Sequence, residues 1–445
     1  MHDWENAAEA KCSTVHASSA ALTANPKIRV VLVVPAFPKL SETFIVSKFV
    51  GLLERDWDVQ VVCHKSEESQ WKSFPNLQTR KDARSRVHLD WPHRPRWLAA
   101  VGLPVVLLWC LRYNAAGTWR YLRCGFRRFG LDVFRRLYLD AVLVALKPDL
   151  LHFEFGALAA ERMYLKELLE CKVVVSFRGY DLNRSGLEQS DYFREVWEHA
   201  DSLHLLGKGL WKRAQHRGCP SGKARALIPP AIDTKVFGPE RSKRASSAPG
   251  RPLQILSVGR LTWEKGYEYS MQAIKLLAKM GIRSQFRVVG DGPMLEALAF
   301  ARQQEGLEDS AQFLGPLTRE DVREEMLNAD VFLHGAVSEG FGNAVLEAQA
   351  MSLPVVCTDA GGLPENVQDG ETGFVVPRRD SEQLAEKLAV LARDPERRQR
   401  MGQAGCRRVQ AHFGLEDQIT AFEKLYRSVI AGTEDGNQRS MNLGS

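Results

Sequence analysis

Glu339 and Glu347 lie eight residues apart, with Gly340, Phe341, Gly342 and Asn343 following the first of them. A glycine-bearing turn between a strand and a helix leaves free backbone N–H groups at the positive end of the helix dipole, which suits a phosphate. Glu347 then sits about one turn inside that helix, offset along the axis by roughly 6–8 Å. The offset suits one carboxylate at the sugar end of a nucleotide-sugar and the other at the ribose, because carboxylates accept from vicinal hydroxyls. The same spacing also fits two surface glutamates flanking a tight turn. A second group, Arg260 and Lys265, lies in GRLTWEKG (259–266), between a strand and a helix. Both cations are placed to reach a pyrophosphate and to neutralise a departing nucleoside diphosphate, which removes the need for a divalent metal. VGDGP (289–293) is another strand-to-helix turn, short of a full GxGxxG. Asp56-Trp57-Asp58 precedes a strand, the wrong end of a sheet for ligands, and reads as a turn.

The elements that must position these groups form two blocks. Apolar, β-branched runs at 28–35, 59–63, 150–153, 173–177, 202–206 and 224–228 read as buried strands, with helices at 41–54, 158–169 and 208–216. Residues 239–252 (PERSKRASSAPGRP) form a linker by composition. The second block has strands at 253–258, 286–289, 312–314, 331–334, 355–358 and 374–376, and helices at 267–280, 293–304 and 381–392. Such alternation implies parallel sheets covered by helices on both faces. The expected class is α/β, with two Rossmann-like domains (28–238 and 253–432) facing each other across a cleft and ligands at the carboxyl ends of the strands. Residues 1–27 and 433–445 are polar and expected to be disordered.

With 44% hydrophobic and 26% charged residues, the chain is neither collagen-like nor a disulfide scaffold. Its longest apolar run, 97–111, is 15 residues and carries Gly102 and Pro104, short of the roughly 18 a spanning helix needs. The net charge of +6 is too mild to imply nucleic acid. Eight cysteines without a CxxC pair argue against zinc or a disulfide framework, and residues 1–26 lack the apolar core of a signal peptide, so a cytoplasmic protein is expected. The charge is uneven: +9 over 1–240 and −3 over 241–445, with +10 in residues 80–136 alone. There Trp119, Leu122, Phe126, Phe129 and Val133 are spaced as one helical stripe, with Arg120, Arg123, Arg127 and Arg128 between them and Arg135 and Arg136 just beyond. A basic amphipathic helix suits an anionic leaflet, and a core-facing helix with a solvated arginine face fits the same pattern.

Taken together, GRLTWEKG, VVGDGP, FLGPL, the E-x7-E pair, PVVCTDAGGLPE and DGETGFVVP resemble a retaining GT-B glycosyltransferase of family 4, the glycosyl transferases group 1. The first domain resembles the exopolysaccharide and colanic-acid type more narrowly, through PAFPKLSETFI, PDLLHFEFG and SFRGYD, and the resemblance spans about 28–430. It implies metal-independent transfer from a nucleotide-sugar, UDP- or GDP-linked, to a hydroxyl of a lipid-linked glycan, with no other cofactor. Catalysis would fall to Glu339, Arg260, Lys265 and Arg178. The donor would be held by Arg260, Lys265, Gly340, Phe341, Gly342, Asn343 and Glu347. Acceptor-side residues would be Ser41, Glu42, Thr43, His152 and Asp181, and a last helix at about 415–430 would pack back on the first domain. Arg178 stands where many relatives carry a histidine; Pro230-Ala231 replaces a frequent Asn-Gly, and Ser352 a frequent glycine. The membrane reading gains weight, as a peripheral enzyme on the inner face of the cytoplasmic membrane. A nucleotide-sugar epimerase of similar fold and a non-catalytic scaffold of a polysaccharide complex are the alternatives.

Overall fold

The computed structural model describes residues 27–91, 96–238 and 250–433, and for residue 41 and residues 96–100 the backbone alone. Nearly all of the expected disordered ends and most of the expected linker lie outside the described residues. Two parallel sheets account for the strands. In the first, β1 (Arg29–Ala36), β2 (Asp58–Lys65), β3 (Val87–Leu89), β4 (Leu150–Phe153), β5 (Lys172–Phe177), β6 (Ser202–Leu205) and β7 (Arg225–Leu227) lie in the order β3-β2-β1-β4-β5-β6-β7. In the second, β8 (Leu253–Val258), β9 (Ser284–Val289), β10 (Ala311–Gly315), β11 (Val331–His334), β12 (Val355–Thr358) and β13 (Gly373–Val376) lie in the order β10-β9-β8-β11-β12-β13.

Central strands covered on both faces must be apolar along their whole length, and Val30 to Val34 of β1 are all buried. Each such side chain contributes on the order of 1.5–3 kcal/mol on burial. Strand order reverses between β1 and β4 and again between β8 and β11. The loops leaving those four strands therefore open into crevices, where open α/β sheets bind ligands.

The basic segment departs from the single stripe read in the sequence. A helix spans Arg96–Phe129 but is interrupted at Asn114, whose backbone is non-helical. Asn114 Oδ1 accepts from Gly117 N, the arrangement of an N-cap, so the second half starts as a new helix. A turn at Gly130–Leu131 then leads into the helix Asp132–Leu146. Val133 consequently lies on a different helix from Trp119 and Phe126; it is fully buried, whereas those two are 66% and 53% exposed. The buried face of the second half is Gly117, Thr118, Tyr121 and Gly125, fastened by Tyr121 O–H donating to the buried Asp140 at 2.7 Å. The helix read at 158–169 is likewise two short ones, Gly156–Ala159 and Leu165–Leu169. Among the described residues no helix is long and apolar enough to cross a membrane.

The final helix, Leu415–Ala431, crosses from the second domain to the first and packs on the helix Thr43–Glu54. Ile419, Phe422, Leu425 and Tyr426 enter the core of the first domain, and Trp57 Nε1–H donates to Glu423 at 2.7 Å.

Candidate functional site

Glu339 follows β11 and is held from three sides. Lys265 Nζ and His334 Nε2–H both donate to its Oε2, the latter at 2.9 Å, and Gly340 N donates to Oε1 at 3.0 Å. Burial alone would raise this carboxyl's pKa, but Lys265 and His334 outweigh it and keep the group ionised well below the usual carboxylate range. His334, buried at the end of β11, is kept neutral by burial and by Lys265. Because an ionised carboxylate only accepts, the imidazole proton must lie on Nε2.

The Gly340–Gly342 loop is shaped by contacts that the sequence does not advertise. Gly342 has φ +92°, the left-handed region that glycine tolerates, and Asn343 opens the helix Asn343–Ala350. The buried Asn366 donates from Nδ2 to Phe341 O, which fixes the loop from behind. Phe341 itself is buried against Phe413, so only its backbone is free for a ligand. Glu347 lies one turn into the helix, half-buried, and burial pushes its carboxyl up to about 7 against the opposing charge of Arg319. Arg260, next to Gly259 after β8, is exposed. The VGDGP turn packs behind this loop, with Leu261 N donating to Asp291 O at 2.9 Å.

Across the cleft, Arg178 follows β5. Its guanidinium lies over the Phe44 ring at 4.1 Å and donates to Glu154 Oε2 at 3.1 Å. Glu154, fully buried after β4, also accepts from the buried Lys48. One carboxylate thus serves a buried cation, Lys48, and a largely covered one, Arg178. Burial lowers the Lys48 ammonium to about 8 despite Glu154, while the two cations keep Glu154 below its ordinary value against burial. Beneath them runs a chain of neutral groups. His204 Nε2–H donates to Ile228 O, so its Nδ1 must accept from Ser176 O–H; Ser176 Oγ then accepts from His152 Nε2–H, and His152 Nδ1 accepts from Tyr426 O–H. Burial, with Lys48 and Arg178 nearby, holds both imidazoles well below their normal range, consistent with this direction.

The sequence-predicted acceptor residues therefore divide. Glu42 pairs with Lys39 at 2.6 Å and leaves Oε2 buried without a partner, and Thr43 begins its helix half-buried beside it. The Ser41 side chain lies outside the described residues. His152 is fully buried in the neutral chain and does not reach the cleft surface. Asp181 is also internal, accepting from Arg178 N and Ala157 N, and so shapes the turn that presents Arg178. Asp58 of the Asp-x-Asp pairs with Arg29 and Arg86 at the amino end of β2, away from the cleft. Four functional candidates were missed: His334, Asn366, Glu154 and Lys48. The last two had a signal, a single charge inside otherwise apolar runs (FIVSKFVGLL and LLHFEFG).

The two domains meet closely at this point. A Cβ placed on Gly179 would lie 2.8 Å from Gly340 Cα, so the turn carrying Arg178 touches the loop carrying Glu339 backbone to backbone. Asn183 Nδ2 donates to Ser338 Oγ at 3.1 Å, and Glu365 accepts from Lys208 N and Gly209 N at 2.8 and 2.7 Å.

Comparison with known proteins agrees with this geometry. Residues 239–408 match the family described as glycosyl transferases group 1. WcaL of Salmonella typhimurium, assigned as a colanic acid biosynthesis glycosyltransferase, is 29% identical over 386 residues, 80% of this chain and 89% of that protein. The amylovoran biosynthesis glycosyltransferase AmsK of Erwinia amylovora is 28% identical over 392 residues, 80% of this chain and 88% of that protein. Among solved structures, sucrose-phosphate synthase from Thermosynechococcus elongatus superposes with a TM-score of 0.67 at 20% identity, over 92% of this chain and 100% of that one. Anabaena HepE in complex with UDP and glucose does so with a TM-score of 0.67 at 14% identity, over 90% and 100%. The chain is a glycosyltransferase of GT-B fold, and residues 239–408 of its second domain match the glycosyl transferases group 1.

Proposed function

We propose that the chain transfers a sugar from a nucleotide-sugar to a hydroxyl of a lipid-linked oligosaccharide or related glycan, with retention of configuration and without a metal, in the assembly of an exopolysaccharide. The observation that carries this reading is the Glu339–Lys265–His334 group, whose loop meets the turn carrying Arg178 backbone to backbone. As the bond from sugar C1 to the β-phosphate oxygen breaks, negative charge grows on the diphosphate; Lys265, Arg260 and the loop amides would stabilise it. The acceptor oxygen attacks the same face of C1, and its proton passes to the departing β-phosphate. Glu339, kept ionised by its two donors, holds the donor sugar's hydroxyls, and closure of the domains excludes water that would hydrolyse the donor. The colanic acid and amylovoran relatives support an exopolysaccharide role, and the UDP and glucose of HepE support a nucleotide-sugar donor.

Thermal shift against a panel of UDP-, GDP-, ADP- and CDP-sugars, followed by transfer with the stabilising donor in the presence of EDTA, tests the reading. Stabilisation by no nucleotide-sugar refutes it, and loss of transfer in EDTA refutes metal independence.

The site of action in this proposal is the inner face of the cytoplasmic membrane. Val101, Val105 and Leu108 form an exposed stripe ahead of Asn114; beyond it Trp119 and Phe126 are exposed beside Arg123 and Arg127. Arg120 and Arg128 pair with Glu170 and Glu167, so apolar insertion contributes alongside charge. Flotation with anionic and neutral liposomes checks this. Recovery should fall when Trp119 and Phe126 are replaced by serine, and equal recovery with both lipid types would refute an electrostatic part.

A further inference from the structure

We propose that Tyr180 and Trp263, one from each domain, flank a carbohydrate subsite at the mouth of the cleft that binds a pyranose ring of the acceptor glycan beyond the residue being extended. The inference rests on the transfer reading above and deepens it.

Tyr180 lies two residues past Arg178, and Trp263 lies between Arg260 and Lys265. Glu339, Lys265 and Arg178 are largely covered, but these two rings are 56% and 48% exposed. They are brought to one place by Arg184, whose guanidinium carbon is 5.9 Å from the Tyr180 ring centroid and 5.8 Å from that of Trp263. Arg184 Nε also pairs across the cleft with Glu264 Oε1 at 2.8 Å. A second, independent observation points to a ligand: Glu264 Oε2 is buried and has no hydrogen-bond partner. An unsatisfied carboxylate oxygen is costly unless something donates to it.

The chemistry of the rim matches a sugar ring. A pyranose presents an apolar C–H face and a girdle of hydroxyls. Tyr and Trp offer rigid, flat, amphipathic area at low entropic cost, and a guanidinium with a free carboxylate oxygen supplies a donor and an acceptor for the hydroxyls. In the transfer reading the donor's nucleoside lies elsewhere, towards Glu347 on the helix Asn343–Ala350. A glycan that enters beside Arg178 with its terminal hydroxyl at the donor sugar leaves the cleft over this rim. The pair is assembled only when the domains are together, so acceptor length is read in the closed state.

The test measures separate KM values for donor and acceptor in the full chain, using as acceptor the lipid-linked oligosaccharide that accumulates in cells lacking it. Tyr180→Ala and Trp263→Ala should each raise the acceptor KM about ten-fold or more while the donor KM moves less than two-fold, with Tyr180→Phe and Trp263→Phe recovering most of the loss. Both rings are about half exposed, so their removal leaves the core intact. An unchanged acceptor KM in both alanine variants overturns the proposal. So does a parallel rise of both KM values, the mark of a simple latch between domains. Failure of the unmodified chain to consume any nucleotide-sugar is a different result, which overturns the transfer reading itself.

Discussion

Replacing Glu347 by glutamine separates what this residue costs the fold from what it gives the donor. The carboxyl titrates near 4.5 when unfolded and near 7 when folded, because burial disfavours its charged form. Below pH 4.5 both states are protonated and nothing is lost; as pH rises to 7 the unfolded state releases its proton first, so stability falls. The full shift corresponds to about 3 kcal/mol, and the side chain's partial exposure reduces this to about 1–3 kcal/mol. Glu347→Gln should therefore be more stable at pH 7.5, with a melting temperature higher by roughly 2–4 °C per kcal/mol, and equal to the parent near pH 4.5. Binding moves the other way. A ribose diol donates best to an ionised carboxylate, and with a pKa near 7 the ionised fraction drops about ten-fold from pH 8 to pH 6. Isothermal titration with a nucleotide-sugar, whose diphosphate does not titrate in this range, should show about ten-fold weaker binding at pH 6 than at pH 8. The glutamine variant should bind weakly and without pH dependence. A flat affinity profile for the parent, or an undiminished one for Glu347→Gln, would refute the ribose assignment.

Three further outcomes follow from contacts already described. Arg260→Ala and Lys265→Ala should each reduce transfer by about 10²–10³-fold in kcat while circular dichroism is unchanged, and near-normal turnover in the double variant would sink the diphosphate assignment. Glu154→Gln leaves Lys48 and Arg178 buried without their shared carboxylate, which should cost about 3–5 kcal/mol in denaturant unfolding; a loss under 1 kcal/mol would mean that water already reaches the pair. Ser352 holds φ +59°, so Ser352→Gly should stabilise by about 1 kcal/mol, and a destabilised variant would show that its side-chain contacts outweigh the strain.

The strands were legible because β-branched runs such as VVLVV have no other stable place than a covered sheet; β8, β11 and β12 begin and end where the sequence puts them. Glu339, Arg260, Lys265 and Glu347 could be picked out because a strand-to-helix turn is a local event. The arrangement around them is not local. His334 reads as one more residue of an apolar strand until the chain folds it onto Glu339, and Glu154 joins Lys48 from 106 residues away. The stripe through Trp119 and Val133 failed for a related reason. Helical spacing assumes an unbroken helix, and the turn at Gly130 places Val133 on the next one.

The final helix has a consequence for how the protein is made. Phe422 and Tyr426 complete the core of a domain that the ribosome begins at its first strand, almost 400 residues earlier. While the second domain is being synthesised, the first lacks the donor to His152 and exposes the apolar groove on the helix Thr43–Glu54 that Ile419 will fill. Vectorial synthesis therefore yields a finished second domain beside an unfinished first one, and maturation waits on the helix Leu415–Ala431. A stop codon at residue 415 removes no residue of the donor loop, yet it should leave an aggregation-prone chain. The two halves expressed separately should combine only if the last helix is supplied with the first.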